Sequence, residues 1–269
     1  MPISIPTSRP YLSSLGQLAR GGAWRLTLPH SHDHDLFVWT TRGQGIVHVT
    51  GRRRGLGVHN ALLVPAGAMI AIDLGKQGFA QAMTVPAGTV AGFPREPVLL
   101  RVRDVQMQGE ITNLLEALLR EQSTERPLTA EAAQAHAALI SVWFRRTRDA
   151  VPERDPSPTA AERLAAAFTE LAERHHASGR PMADYAEMLG VTPTHLTRVC
   201  RHCAGLTAAA MLSARVLHAA RCGLADTTEP VSEIAGRLGF SSPAYFSRFV
   251  HHHTGRSPTE LRRAATTGK

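Results

Sequence analysis

The chain has 269 residues, 43% of them hydrophobic and 19% charged, which suits a globular protein of two domains better than one core. No apolar run reaches the roughly 18 residues of a membrane span, the opening MPISIPTSRPYLSSLG lacks the basic start and apolar block of a signal peptide, and three cysteines cannot close a disulfide framework, so a reducing cytoplasm is expected. The formal charge of +8 is carried almost wholly by arginine, Lys76 and Lys269 being the only lysines, and suits a polyanionic partner such as nucleic acid; residues 1–159 and 160–269 carry about +4 each, so charge alone singles out neither half.

Residues 1–105 hold 13 of the 22 glycines and a series of short apolar runs: WRLTLP, DLFVWTT, GIVHVTG, ALLVPAG, MIAIDL, FAQAMTV and PVLLRVR. Strands of four to seven residues separated by Gly, Pro and Asn turns predict an antiparallel sandwich or barrel. GRRRG, residues 51–55, reads as an exposed hairpin tip with solvated charges. Across 106–150 the period changes. EITNLLEALLREQ has apolar residues at 111, 114, 115, 118 and 119, a helical stripe. LTAEAAQAHAALISVWFRRTR predicts a second helix, with Thr129 as its cap and Leu139, Ile140, Val142, Trp143 and Phe144 massed near its end. Such a pair either closes the open end of a sheet or meets another copy of the chain. AVPERDPSPTAAE then packs three prolines into residues 152–158, a semi-rigid linker over 151–159.

From 160 to the end the pattern is helical. Thr159 stands three residues before Glu162, a capping box. Two stretches then repeat one plan: DYAEMLGVTPTHLTRVCRHCAGLTA and, about fifty residues on, EIAGRLGFSSPAYFSRFVHHHTGRSP. Each has a short amphipathic helix, a glycine that supplies a positive-φ turn, an apolar plug, a hydroxyl cap and a proline in the first turn of a second helix. In the later copy Ser232 is the expected cap of the first helix, Ser241 or Ser242 that of the second, and Phe246, Phe249 and Val250 the buried stripe. In the earlier copy the turn is one residue shorter, Thr192 caps, and Leu196, Val199 and Cys200 face inward. The outer faces carry Thr194, His195, Thr197, Arg198 and Arg201 in one copy, and Ala244, Tyr245, Ser247, Arg248 and His251 in the other. This is a helix-turn-helix twice over, with LTAAAMLSARVLHAARCGLADT as a rod between the copies. Two short helices held about 34 Å apart enter successive major grooves on one face of B-DNA. Arginine forks onto guanine and small hydroxyls reach bases or phosphates. Arg198 and Arg248 are therefore the expected readers, with Thr192, Thr194, His195, Thr197, Arg201, Ser242, Ala244, Tyr245 and Ser247 around them.

On these motifs residues 160–265 resemble the C-terminal DNA-binding domain of the AraC/XylS family of bacterial transcription regulators, most closely over VSEIAGRLGFSSPAYFSRFVHHHTGRSPTELRR. The earlier copy departs at Cys200, where an aromatic is usual. Residues 1–105 resemble the cupin-like regulatory domain of the same family, through PHSHDHDLFVWTTRGQGIVHV and GVHNALLVPAGAMIAI. The resemblance implies an α+β chain: a cupin-like β-barrel or sandwich with a helical pair (106–150) that dimerises, then an all-α domain with two helix-turn-helix motifs. It implies a regulator, more often an activator, that binds double-stranded DNA as a homodimer, answers to a small-molecule effector and touches RNA polymerase. Metal-binding cupins add a glutamate and a later histidine; here Val38 and Ile70 stand about where those belong, so no metal and no cofactor is assigned.

His30, His32 and His34 alternate, and on a strand they share one face. Three imidazoles so placed suit zinc, nickel or copper, the wall of an anionic effector's pocket, or a structural strand entrance; they are the candidate effector-binding residues. A metal-sensing regulator, or a cupin isomerase or dioxygenase with a DNA-binding appendage, is the rival reading, with residues 30–34 its one candidate centre. Cys200 and Cys203 form C-x-x-C without a second ligand pair, so Cys200 reads as a small core residue. His251, His252 and His253 close the second reader helix, where positive charge is favoured in any case.

Overall fold

In a computed structural model, residues 8–124, 126–150 and 157–267 are described. Two antiparallel sheets face each other. One runs β1 (Tyr11–Ser14), β7 (Phe79–Pro86), β2 (His34–Arg42), β5 (Asn60–Val64), β8 (Val98–Arg101); the other runs β4 (Arg52–Gly57), β3 (Gln44–Val49), β6 (Ile70–Asp73). Leu36, Val38, Leu62 and Val64 from the larger sheet meet Val47, Val49, Leu56, Ile70 and Ile72 from the smaller. The opposite face of the larger sheet is also covered, because Phe37, Trp39, Ala61, Leu63, Met83 and Val85 pack under α3 (Val105–Ser123) and α4 (Thr129–Ala150). Double coverage explains why LFVW and ALLV are unbroken apolar runs, whereas the one-sided β3 and β4 alternate.

The helical pair thus closes the sheet from outside. Ile111, Leu115 and Leu118 of α3 and Ile140, Trp143 and Phe144 of α4 are buried, and Trp143 Nε1 donates to the Met107 carbonyl at 3.0 Å. Leu119 and Leu139, counted in the sequence stripes, stay exposed. Thr129 does not cap by its side chain; it is the first residue of α4, and its hydroxyl donates to Glu121 Oε1 and the Arg126 carbonyl.

Three sequence expectations are corrected in the barrel. WRLTLP forms no strand: Gly21 and Gly22 take positive φ, Trp24 Nε1 donates to the Gly21 carbonyl, and Trp24–Thr27 closes into one helical turn, α2, after a similar turn at α1 (Leu15–Leu18). Residues 52–57 are a strand despite three successive arginines, because they pair along the whole of β3. The hairpin tip is also not exposed. Thr50 and Gly51 both have positive φ, the geometry of a tight two-residue turn, and Gly51 is buried: a Cβ there would lie 2.7 Å from the Ala165 carbonyl oxygen.

Residues 151–156 of the expected linker lie outside the described residues. Helix α5 (Ala160–His175) begins on the anticipated capping box, Glu162 N donating to Thr159 Oγ1 at 3.2 Å and Thr159 N to Glu162 Oε2 at 2.8 Å. The first helix-turn-helix is α6 (Met182–Met188) and α7 (Pro193–Ala204); α8 (Ala208–Asp226) leads to the second, α9 (Val231–Arg237) and α10 (Pro243–Thr254), and α11 (Pro258–Thr267) follows. Ser232 is not the cap of α9: the helix begins at Val231 behind Pro230, and Ser232 sits exposed in its first turn. Each unit has its own core, Phe168, Tyr185, Ala186, Leu196 and Cys200 in one, Ile234, Ala235, Leu238, Phe246 and Val250 in the other. Helix α8 contributes to both, through Met211 at one end and Ala220 and Leu224 at the other. Among the described residues no single helix is long and apolar enough to cross a membrane.

Candidate nucleic-acid interface

The two units superpose in sequence at an offset of fifty. Pro193, Thr194, His195, Thr197, Arg198 and Gly205 correspond to Pro243, Ala244, Tyr245, Ser247, Arg248 and Gly255. The second helix of each starts on the same chemistry, Thr192 Oγ1 accepting from His195 N and Ser242 Oγ from Tyr245 N, both at 3.2 Å. Each stops on a left-handed glycine, Gly205 at φ 74° and Gly255 at φ 68°. Leu196, Val199 and Cys200, and Phe246 and Val250, are buried, while Phe249 is half-buried against Phe240.

What remains outside matches the predicted sets. Thr192, Thr194, Arg198 and Arg201 are exposed and His195 and Thr197 partly so; Ala244, Tyr245 and Arg248 are exposed, Ser242 and Ser247 partly. Pro193, Thr194, Thr197, Arg198 and Arg201 line a shallow groove of about 430 Å³ along α7. Both central arginines are steadied by the residue three positions earlier. Arg198 Nη2 donates to His195 Nδ1 at 2.9 Å, and the Arg248 guanidinium lies 6.0 Å over the Tyr245 ring, the outer limit of a cation–π contact. A braced guanidinium loses less side-chain entropy when it forks onto a base. Neither brace was evident in the sequence, although the i, i+3 spacing carries it.

The turns differ. Gly190 has φ 66° and open space where a Cβ would go; Gly239 has φ 77° and would place a Cβ 2.4 Å from the Gly179 amide nitrogen. Gly179 in turn would place one 2.4 Å from the Gly239 carbonyl oxygen, and the neighbouring Ala177 packs on the second unit's core. The units therefore touch backbone to backbone at this point, besides being joined by α8, whose 19 residues span about 28 Å.

The candidate effector residues come together, but against the helical domain. His30 pairs with Ile70 in an isolated bridge and His34 opens β2. His30 Nε2 and His32 Nε2 are 3.1 Å apart, the His32 and His34 rings stack at 4.6 Å, and His30 stacks on His218 of α8 at 4.6 Å and 9°. His30 is thus buried rather than at an open strand entrance. Burial pushes the His30 and His32 imidazoles below their usual range, with neighbouring positive groups adding to the effect, and takes His218 down to about 3. Around them Arg25 makes a two-pronged pair with Asp226, and Arg215 a buried one with Glu173 (both contacts 2.6 Å). Burial raises the Glu173 carboxyl, but the Arg215 hydrogen bonds and charge outweigh it and hold the group low. Met69 of the barrel completes the contact by entering the first unit's core. His218, Arg215, Glu173 and Arg25 escaped the sequence reading because their partners are distant in the chain, 201 residues for Arg25 and Asp226. Among the described residues no group of three or more His, Cys, Asp or Glu side chains could hold a metal ion. The cysteines are free thiols; burial pushes Cys200 up to about 12 and Cys222 to about 11, so neither is a ready nucleophile.

A double-sheet barrel docked on paired helix-turn-helix units defines a two-domain DNA-binding regulator. Residues 14–141 match the model of the AraC-like ligand binding domain, and residues 185–264 match that of a helix-turn-helix domain. The chain belongs to the AraC family of transcription regulators, which are not enzymes. It is 32% identical over 130 residues to the HTH-type transcriptional regulator GlxA of Rhizobium meliloti (strain 1021), a stretch that is 46% of this chain and 40% of that protein. Among solved structures, unsaturated fatty acid bound ToxT from Vibrio cholerae aligns over 94% of this chain and 95% of its own at 10% identity and a TM-score of 0.44. The C-terminal domain of AraT, a response regulator from Geobacillus stearothermophilus, aligns over 39% of this chain and 85% of its own at 26% identity and a TM-score of 0.36.

Proposed function

We propose that α7 and α10 read successive major grooves of one duplex, with Arg198 and Arg248 as the principal base contacts and Thr194, Thr197, Tyr245 and Ser247 tuning which bases are accepted. The observation that carries this reading is the matched exposure of two braced arginines at the same position of two helices that begin and end alike. Thr192 and Ser242 are already engaged as caps, so their hydroxyls serve phosphates rather than bases. Selection from a random duplex library, followed by footprinting, tests it: the protein should enrich two short boxes about one helical turn apart. Enrichment of a single box, or a footprint unchanged in Arg198→Ala and Arg248→Ala, would overturn the assignment.

The same reading makes the barrel the effector domain and His30, His32 and His34 the groups through which it is felt. His30 stacks on His218 of α8, which both reading units share, so a small molecule that alters the barrel alters the platform of both readers. Homodimerisation falls to α3 and α4, which leave Leu119 and Leu139 exposed at 47% and 52%. The protein then acts in the cytoplasm as an activator in contact with RNA polymerase. Sedimentation with and without DNA checks the dimer, and a reporter fused to an enriched site checks the sign of regulation.

A further inference from the structure

We propose that the β3–β4 hairpin of the regulatory domain is itself part of the DNA-binding surface, with Arg53 contacting a phosphate at the edge of the groove read by α7; this rests on the reading of α7 given above. On α7, Thr194, Arg198, Arg201 and Gly205 follow one another at helical spacing and form one stripe. The stripe ends at Gly205, and Arg53 takes over there: its Cδ is 3.8 Å from where a Gly205 Cβ would stand. Neighbouring residues on a strand point to opposite sides. Arg52 therefore turns to α5, pairing with Glu162 at 2.8 Å, while Arg53 turns outward beside α7 and is exposed. The hairpin is not free to swing, because its turn is seated on α5 at Ala165 and β4 packs on both α5 and α7.

A guanidinium held at that place has one evident use. The N-terminal turns of a recognition helix reach base edges. A cation beyond the C-terminal end of the same stripe meets the groove wall, which is phosphate. With Arg198 and Arg201 it forms a positive line along one edge, and each phosphate so neutralised releases counterion. DNA affinity then depends directly on where the barrel sits, because a barrel displaced from α5 and α7 takes Arg53 with it.

The test uses the full chain, a duplex enriched by the wild-type protein, and titrations across a range of salt. Arg53→Ala should weaken binding about three- to tenfold at low salt and lower the slope of log affinity against log salt by about one, alike for all sequences. Arg53→Lys should restore most of the loss, since a phosphate accepts a point charge. Lys76→Ala, which removes one positive charge from the exposed turn between β6 and β7, should change neither quantity. An Arg53→Ala protein that matches Lys76→Ala, or that binds more tightly because the hairpin shields the helix, overturns the proposal. If Arg198→Ala and Arg248→Ala also leave binding intact, the reading of the helices fails as well; if they weaken it, only the hairpin is excluded.

Discussion

Gly239 and Gly190 occupy equivalent turns, and that equivalence allows a controlled comparison of Gly239→Ala with Gly190→Ala. Both substitutions force an L-residue into left-handed backbone, at φ 77° and φ 66°, which costs about 1–2 kcal/mol. Both also gain the same small benefit from a less flexible unfolded chain. The difference is the space around them. A Cβ at 190 meets nothing within 4 Å, while one at 239 lies 2.4 Å from the Gly179 nitrogen and 2.8 Å from the Ala177 carbonyl oxygen. Those neighbours are backbone and cannot turn aside, so the two units must separate, at a further cost of about 1–3 kcal/mol. For a domain of this size each kcal/mol lowers the melting temperature by about 4–8 °C. Thermal unfolding of the full chain should therefore show Gly239→Ala melting well below Gly190→Ala. Random-duplex selection should show Gly239→Ala alone accepting a broader range of spacings between its two boxes. Equal melting temperatures, or an unchanged spacing, would refute the argument that turn-to-turn contact sets the relation of the readers.

The histidine stack makes stability fall on acidification. His30, His32 and His218 have folded-state pKa values below 6.5, so the unfolded chain binds more protons; their stabilisation is complete above about pH 6.5 and is lost as pH falls from there towards about 3 for His218. Arg215 and Arg25 oppose protonation there and Glu173 partly offsets them; each imidazole kept neutral accounts for up to about 1.4 kcal/mol per pH unit. His218→Gln should flatten the dependence of melting temperature on pH between 7.5 and 5.5, and an unaltered slope would count against the assignment. Arg248→Ala should weaken specific binding by about 1–3 kcal/mol in a gel-shift titration while sparing non-specific duplex. Glu173→Gln strands the buried Arg215 guanidinium and should cost about 3–5 kcal/mol by urea denaturation, with most of it recovered when Arg215→Met is added.

The reading units were legible before any coordinates because their determinants are local. A hydroxyl cap, a proline after it, a glycine in the turn and an apolar stripe all act within about a dozen residues. The strands β2, β3 and β5 to β8 were legible for the same reason. The errors occur where a local signal was absent or misleading. WRLTLP has the composition of a strand, but two positive-φ glycines before it and the Trp24 hydrogen bond favour a helical turn. The arginines of β4 hid a strand whose pairing partner, not its composition, defines it. Serine commonly caps a helix, but at Ser232 the helix has already begun behind Pro230. The contact between barrel and helical domain could not be read at all: it joins residues such as Arg25 and Asp226, and His30 and His218, that are brought together only by the whole fold.

Met69 has a consequence of its own. It is a barrel side chain, yet it fills a place among Phe168, Tyr185 and Leu196, whereas among the described residues the cluster around Phe246 holds no barrel side chain. The pair of readers is therefore unequal in upbringing: one fills its interior from the helical domain, the other leans on the amino-terminal half for part of its own. Detaching that half, whether by a protease or by a ligand, would loosen the first grip on the duplex while the second holds, so that release proceeds one hand at a time.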